Sequence, residues 1–83
     1  MSRQRSMEVI EQSEYVTIGE LVRLTGVRYS TLKFYTEEGM LPFEQANLTR
    51  RYRREESIEM IYKIRKMREE KMTIPEIKGK IKG

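Results

Sequence analysis

The chain has 83 residues, 36% of them charged, and its 17 Lys and Arg against 13 acids leave a formal net charge of +4 and a pI near 9.5. Every acid is Glu, and there is no Asp, Cys, His or Trp. Such a length builds one small domain at most. Disulfides, Cys/His metal sites and Ser-His or Cys-His catalytic pairs are excluded, and the lack of Asp removes most hydrolytic and phosphoryl-transfer sites. No apolar run approaches the roughly 18 residues of a membrane span, and the opening Met-Ser-Arg-Gln-Arg has no signal-peptide core. The composition implies a soluble, intracellular, non-enzymatic module without cofactor or metal.

The charge is divided along the chain. Residues 1–49 carry five Lys/Arg against seven Glu, net −2, and residues 50–83 carry twelve against six, net +6. A solvated helix surface would account for part of this, but a split of this size also points to a partner on the basic side.

After Met1, residues 2–14 are polar apart from Met7, Val9 and Ile10, without a convincing helical face, and residues 1–14 read as a flexible N-terminal arm preceding a domain at 15–83. Thr17-Ile18-Gly19-Glu20 is a capping box, in which Thr17 caps the backbone N–H three residues on and Glu20 reaches back. Ile18, Leu21, Val22 and Leu24 follow at helical spacing, and Gly26 supplies the positive φ that ends a helix. A second short helix is predicted over Ser30–Glu38, with Leu32 and Tyr35 inward and Gly39 then Pro42 as its stop. Two short helices joined by a brief Gly-containing turn make a helix-turn-helix. Residues 40–53 suggest a hairpin with Asn47 in its turn. A long helix over Glu55–Lys71 has acids at its start and Lys71 at its end, with Ile58, Ile61, Ile64 or the stem of Arg65, and Met67 or Arg68 at three-to-four spacing. A second capping box, Thr73-Ile74-Pro75-Glu76, opens a last helix with Ile74, Ile77 and Ile81 on one face and Lys78, Lys80 and Lys82 on the other. The fold class is mainly α: a winged helix-turn-helix with a short β-hairpin wing and two further C-terminal helices.

These segments resemble the DNA-binding domain of the MerR family. Residues Val16 to Val27 resemble its opening helix and turn, Thr31-Leu32-Lys33-Phe34-Tyr35 its recognition-helix signature, and Gly39-Met40-Leu41-Pro42 its helix exit. Arg50-Arg51-Tyr52 resembles the basic, aromatic wing, and Ile74-Pro75-Glu76-Ile77 the closing helix. The five pieces occur in order over about residues 15–82. The resemblance implies a sequence-specific double-stranded DNA-binding protein, a transcriptional regulator or an accessory factor in recombination, partition or transfer. It further implies a cytoplasmic, nucleoid-associated setting in a prokaryote, plasmid or phage. The chain lacks the Cys and His of metal-sensing members and ends at Gly83, before the family's dimerisation helix and effector region. It is therefore closest to excisionase-like or small regulator members, with neither metal nor small-molecule effector expected. The alternative is a protein-interaction adaptor that keeps the winged helix and no longer binds DNA.

Within that resemblance the candidate DNA contacts are Thr17, Arg28, Tyr29, Ser30, Thr31, Lys33, Phe34, Tyr35, Arg50, Arg51, Arg53 and Arg54. The start of a recognition helix enters the major groove, where Lys33 or Arg28 can read guanine and Ser30 and Thr31 can bond base edges or phosphate. Tyr35 can offer its hydroxyl to a phosphate while its ring packs inward. Phe34 has no polar handle and suits the core or the groove edge. Arg forks suit phosphate. Strand alternation sends Arg51 and Arg53 to one face and Arg50, Tyr52 and Arg54 to the other. Two or three of the four arginines are expected on DNA, with Arg50 and Arg51 both candidates for the main phosphate contact and Tyr52 as the wing's anchor in the core. A single small domain makes few base contacts, so homo-oligomerisation on DNA through head-to-tail contacts is expected, the acidic half of one copy against the basic half of the next.

Overall fold

The computed structural model describes residues 5–82. Along these the elements are α1 (Met7–Gln12), β1 (Tyr15–Val16), α2 (Ile18–Thr25), α3 (Tyr29–Glu37), β2 (Glu44–Ala46), β3 (Thr49–Arg53), α4 (Arg54–Glu69) and α5 (Ile74–Lys82). The architecture is the expected mainly helical winged helix-turn-helix.

Both capping boxes form. In α2 the Glu20 amide donates to Thr17 Oγ1 at 3.2 Å, and the Thr17 amide donates to Glu20 Oε1 at 2.9 Å. In α5 the Glu76 amide donates to Thr73 Oγ1 at 3.3 Å and the Thr73 amide to Glu76 Oε1 at 2.8 Å. The Thr73 amide bond to its charged form is the main reason that the Glu76 carboxyl lies below its ordinary pKa. Gly26 takes φ 74° at the end of α2, where a side chain would be strained. Val27, buried in the turn that follows, fixes α3 against α2. The third helix begins at Tyr29 rather than Ser30, with Arg28 in the capping position and no side-chain cap bond.

The hairpin is tight. Ala46 pairs with Thr49, so only Asn47 and Leu48 form the loop, and Asn47 carries the positive φ (57°) that its place in the turn requires. Strand β1 was not expected. It lies antiparallel to β3, with Tyr15 opposite Arg53 and Val16 opposite Tyr52, so β3 is the centre of a three-stranded sheet of order β1-β3-β2. Two residues are too short for alternation to reveal; the strand exists because β3 leaves an edge to pair.

The core joins Ile10, Val16, Leu21, Val27, Leu32, Tyr35, Met40, Leu41, Tyr52, Ile61, Ile64 and Ile77. Of the two options on α4, Ile64 is the buried one and the stem of Arg65 lies outside. Ile77 is buried while Ile74 and Ile81 are partly covered. The Lys78 ammonium donates to Glu38 Oε1 at 3.3 Å, tying α5 to the end of α3.

The described part of the N-terminal segment differs from the expected flexible arm, which also included residues 1–4, outside the described residues. Ser6 caps α1 by accepting from the Val9 amide at 3.3 Å, and Ile10 is wholly buried. Arg5 donates from Nε and Nη2 to the two oxygens of Glu20, each at 2.7 Å, and from Nη1 to Ser13 Oγ at 3.0 Å. Arg23 closes the junction by donating to the Arg5 carbonyl at 2.7 Å. The Arg5 fork, together with the Thr17 cap, holds the Glu20 carboxyl below its ordinary pKa against the opposing effect of burial. A six-residue helix needs only one inward side chain, too little for a periodicity to register.

Replacement Ile10→Ala tests whether this segment belongs to the core. Unfolding by urea is expected to show a loss of about 3 kcal/mol; a loose arm would give a change under about 0.5 kcal/mol.

Candidate nucleic-acid interface

The exposed side of α3 and the wing enclose a cleft. Tyr29, Lys33 and Glu37 stand one helical turn apart on α3 and line one wall, Arg50, Leu48 and Thr49 of the wing line the other, and Thr17 lies at its end. The wall positions follow from the inward ones: Leu32, Tyr35 and Thr36 are buried, which turns Tyr29 and Lys33 outward. The wing is held at its distance by Tyr52, whose hydroxyl lies 3.0 Å from Thr36 Oγ1 in a buried contact. Thr17 meets the cleft with its hydroxyl oxygen already accepting the cap bond.

A second, shallower groove runs along the other flank of α3. Ser30, Thr31, Phe34 and the edge of Tyr35 line it together with Arg68 of α4. Phe34 is 44% exposed, so it sits at the groove edge and not in the core. Its ring meets Tyr35 at a centroid distance of 6.3 Å. Tyr35 is buried, which pushes its phenol above the ordinary pKa, while the charges of Arg68 and Arg65 pull the other way. Arg68, which spacing offered as an alternative to Met67 on the inner face of α4, is exposed. It lies 33 residues beyond Tyr35 in the chain, and only the packing of α4 on the helix pair brings the two together.

The wing arginines separate as strand alternation requires. Arg50 faces the cleft side, its guanidinium carbon 4.6 Å from the centroid of Phe43 and its Nη1 3.6 Å from Glu37. Arg51 and Arg53 lie over the opposite face of the sheet, 4.3 and 5.5 Å from the Tyr15 ring centroid. Both approach Glu44, at 3.7 and 3.9 Å. The Tyr15 hydroxyl donates to Glu44 Oε2 at 2.8 Å, and that bond is the main reason its pKa is raised.

The family comparison agrees with this geometry. A family model described as MerR HTH family regulatory protein matches residues 16–83, more than half of the chain. The chain belongs to the MerR helix-turn-helix family. No curated protein and no solved structure matches it. Membership makes it, in general terms, a DNA-binding regulator of transcription. No helix among the described residues is long and apolar enough to cross a membrane.

Within this MerR-family domain the twelve candidate residues do not form one surface. Tyr29, Lys33, Arg50 and Thr17 share the cleft, and Ser30, Thr31, Phe34 and Tyr35 share the second groove. Arg28 is exposed at the start of α3, between the helices of the motif. Arg51 and Arg53 lie behind the wing. Arg54 is turned away from both grooves: it opens α4, its Nε donates to the Ser13 carbonyl at 2.7 Å, and its amide donates to the Glu14 carbonyl at 2.9 Å. With a side chain only 21% exposed, Arg54 fastens the N-terminal segment to the sheet.

Arg54→Ala and Arg50→Ala should therefore behave differently in thermal or chemical unfolding. The first is expected to lose about 1.5 kcal/mol, the worth of a charge-assisted bond to a partly buried carbonyl. The second, an exposed residue with one long ion pair and one exposed contact over the Phe43 ring, should stay within about 1 kcal/mol of the parent.

Proposed function

We propose that this chain recognises double-stranded DNA by laying α3 in the major groove and resting the wing on the flanking backbone or minor groove. The observation that carries the reading is the convergence of Lys33 and Tyr29 with Arg50 on one open cleft. Lys33 and Arg28 supply the donors that guanine N7 and O6 accept. The side chains of Ser30, Thr31 and Tyr29 add contacts to base edges or phosphate. The start of α3 has no side-chain cap, and while the Thr31 amide is taken by the Arg28 carbonyl at 3.1 Å, the Tyr29 and Ser30 amides before it suit a phosphate. On the wing Arg50 takes the main phosphate contact, because it stands on the helix side of the sheet, whereas Arg51 and Arg53 act on the flanking backbone or at long range. The Tyr35 hydroxyl and Arg68 suit a phosphate on the second flank of α3. Occupancy of such sites would regulate transcription or assist recombination, partition or transfer, in the cytoplasm at a prokaryotic, plasmid or phage chromosome.

Binding of several copies in a row follows the charge asymmetry. A groove on α4 and α5 has Met60, Met67 and Ile81 at its floor and Lys63, Lys66 and Lys80 at its rim. On α1 Val9 is half exposed and is flanked by the carboxylates of Glu8 and Glu11. The acidic end of one copy on the basic groove of the next gives a head-to-tail contact with complementary charge.

Mobility shifts on a duplex chosen from a randomised pool test the DNA reading. Five neutralised phosphates would give a salt slope near −4.5 in log–log form, and Arg50→Ala should reduce it by about 1. Lys33→Ala is expected to weaken binding by roughly tenfold and relax the preference at one base position. Unchanged affinity in both variants would favour the adaptor alternative. Sedimentation on one-site and two-site duplexes tests the assembly. Cooperative filling of the second site is expected, and strictly independent 1:1 binding at each site would refute the head-to-tail contact.

A further inference from the structure

The tip of the wing carries a side chain that the fold does not use. Leu48 is 99% exposed, the most exposed large hydrophobic among the described residues. It occupies the second position of a two-residue hairpin loop, where Gly, Asn, Asp or Ser would serve the backbone at least as well. Single exposed apolar residues are common on protein surfaces, but this one projects at the rim of the cleft it shares with Lys33 and Arg50. Thr49 and Arg50, both exposed, follow it immediately along β3. The tip is thus a narrow protrusion with an apolar end and a cation behind it.

The geometry points to Leu48 as an apolar probe of the minor groove. The inference rests on the DNA-binding reading and adds to it a recognition element that acts on shape rather than through hydrogen bonds. With α3 in the major groove, the two-residue tip is the part of the wing thin enough for a groove ~6 Å wide. The leucine packs against the deoxyribose walls and the groove floor, as apolar residues of minor-groove binders do, while Arg50 stays on the phosphate at the groove edge. The guanine 2-amino group rises from that floor in G·C pairs and is absent from A·T pairs. Leu48 therefore favours a floor free of that group.

Titration of the full chain against three duplex polymers, poly(dA-dT), poly(dI-dC) and poly(dG-dC), tests this. Inosine–cytosine pairs keep the major-groove pattern of G·C and lack the 2-amino group, so any difference between the last two polymers arises in the minor groove. The parent chain is expected to bind poly(dI-dC) about tenfold more tightly than poly(dG-dC), the order of effect from burying part of a leucine, while poly(dA-dT) differs from both in the major groove as well. Leu48→Ala should bind poly(dI-dC) and poly(dG-dC) alike with its salt slope unchanged, since no charge is lost, and Leu48→Met should keep the preference. The side chain has no partner in the fold, so these variants keep the parent's stability. Equal binding of poly(dI-dC) and poly(dG-dC) by the parent, or a preference that survives in Leu48→Ala, overturns the inference and leaves DNA binding standing. A chain that binds none of the three polymers sinks both.

Discussion

The arrangement of helix and wing depends on Tyr52. Its backbone lies in β3, opposite Val16 of β1, its ring packs 6.0 Å from Phe43, and its hydroxyl meets Thr36 Oγ1 on α3. Thr36 in turn donates its single proton to the Leu32 carbonyl at 2.9 Å, which leaves its oxygen to accept from the Tyr52 phenol. A buried phenol must find a partner, and the one available lies on the helix that bears Lys33. The need to satisfy one polar atom therefore sets the distance between the two walls of the cleft. The same residue fixes the strand's facing: once Tyr52 points inward, Arg50 must share its side of the sheet, and Arg51 and Arg53 cannot.

Four closely spaced arginines thus fall into three different roles. Arg54 ties the start of α4 to the segment before β1. Arg51 and Arg53 stack on Tyr15, where planar guanidinium groups suit an aromatic face. Arg50 alone stands beside the recognition helix. Counting a basic run overstates the charge available to any one ligand, because the period-2 alternation of a strand and the capping position of a helix divide it.

Much of this was legible from the sequence where local rules govern. The capping boxes at Thr17 and Thr73, the stop at Gly26, the turn at Asn47 and the inward Tyr52 each depend on residues within a few positions of one another. What escaped was tertiary. Strand β1 owes its existence to a free edge of β3, and α1 is held by Ile10 together with an Arg5–Glu20 ion pair spanning 15 residues. On the candidate surface, Arg68 enters and Arg54 leaves for the same reason. Their roles depend on where α4 begins and how it crosses the helix pair, which no spacing within α4 records. An N-terminal segment whose apolar residues after Met1 are only Met7, Val9 and Ile10 resembles an arm until a core is present to receive one of them.

The exposed ion pairs around the cleft also bear on how such a surface engages an anion. Arg50 lies 3.6 Å from Glu37, and both side chains are largely solvated. A pair of that kind is worth little, so exchanging the carboxylate for a phosphate oxygen loses almost nothing on the protein side. Meanwhile the Phe43 ring beneath the guanidinium restricts its rotamers before any ligand arrives. Ordering a long side chain in advance removes part of the entropy that binding would otherwise take. Glu37 and Phe43 together hold Arg50 in place without holding it tightly. Arg54, bonded at 2.7 Å to a partly buried carbonyl, is held tightly and is therefore not free to leave. Of two arginines four residues apart, only the weakly held one could exchange its carboxylate partner for another anion at little cost.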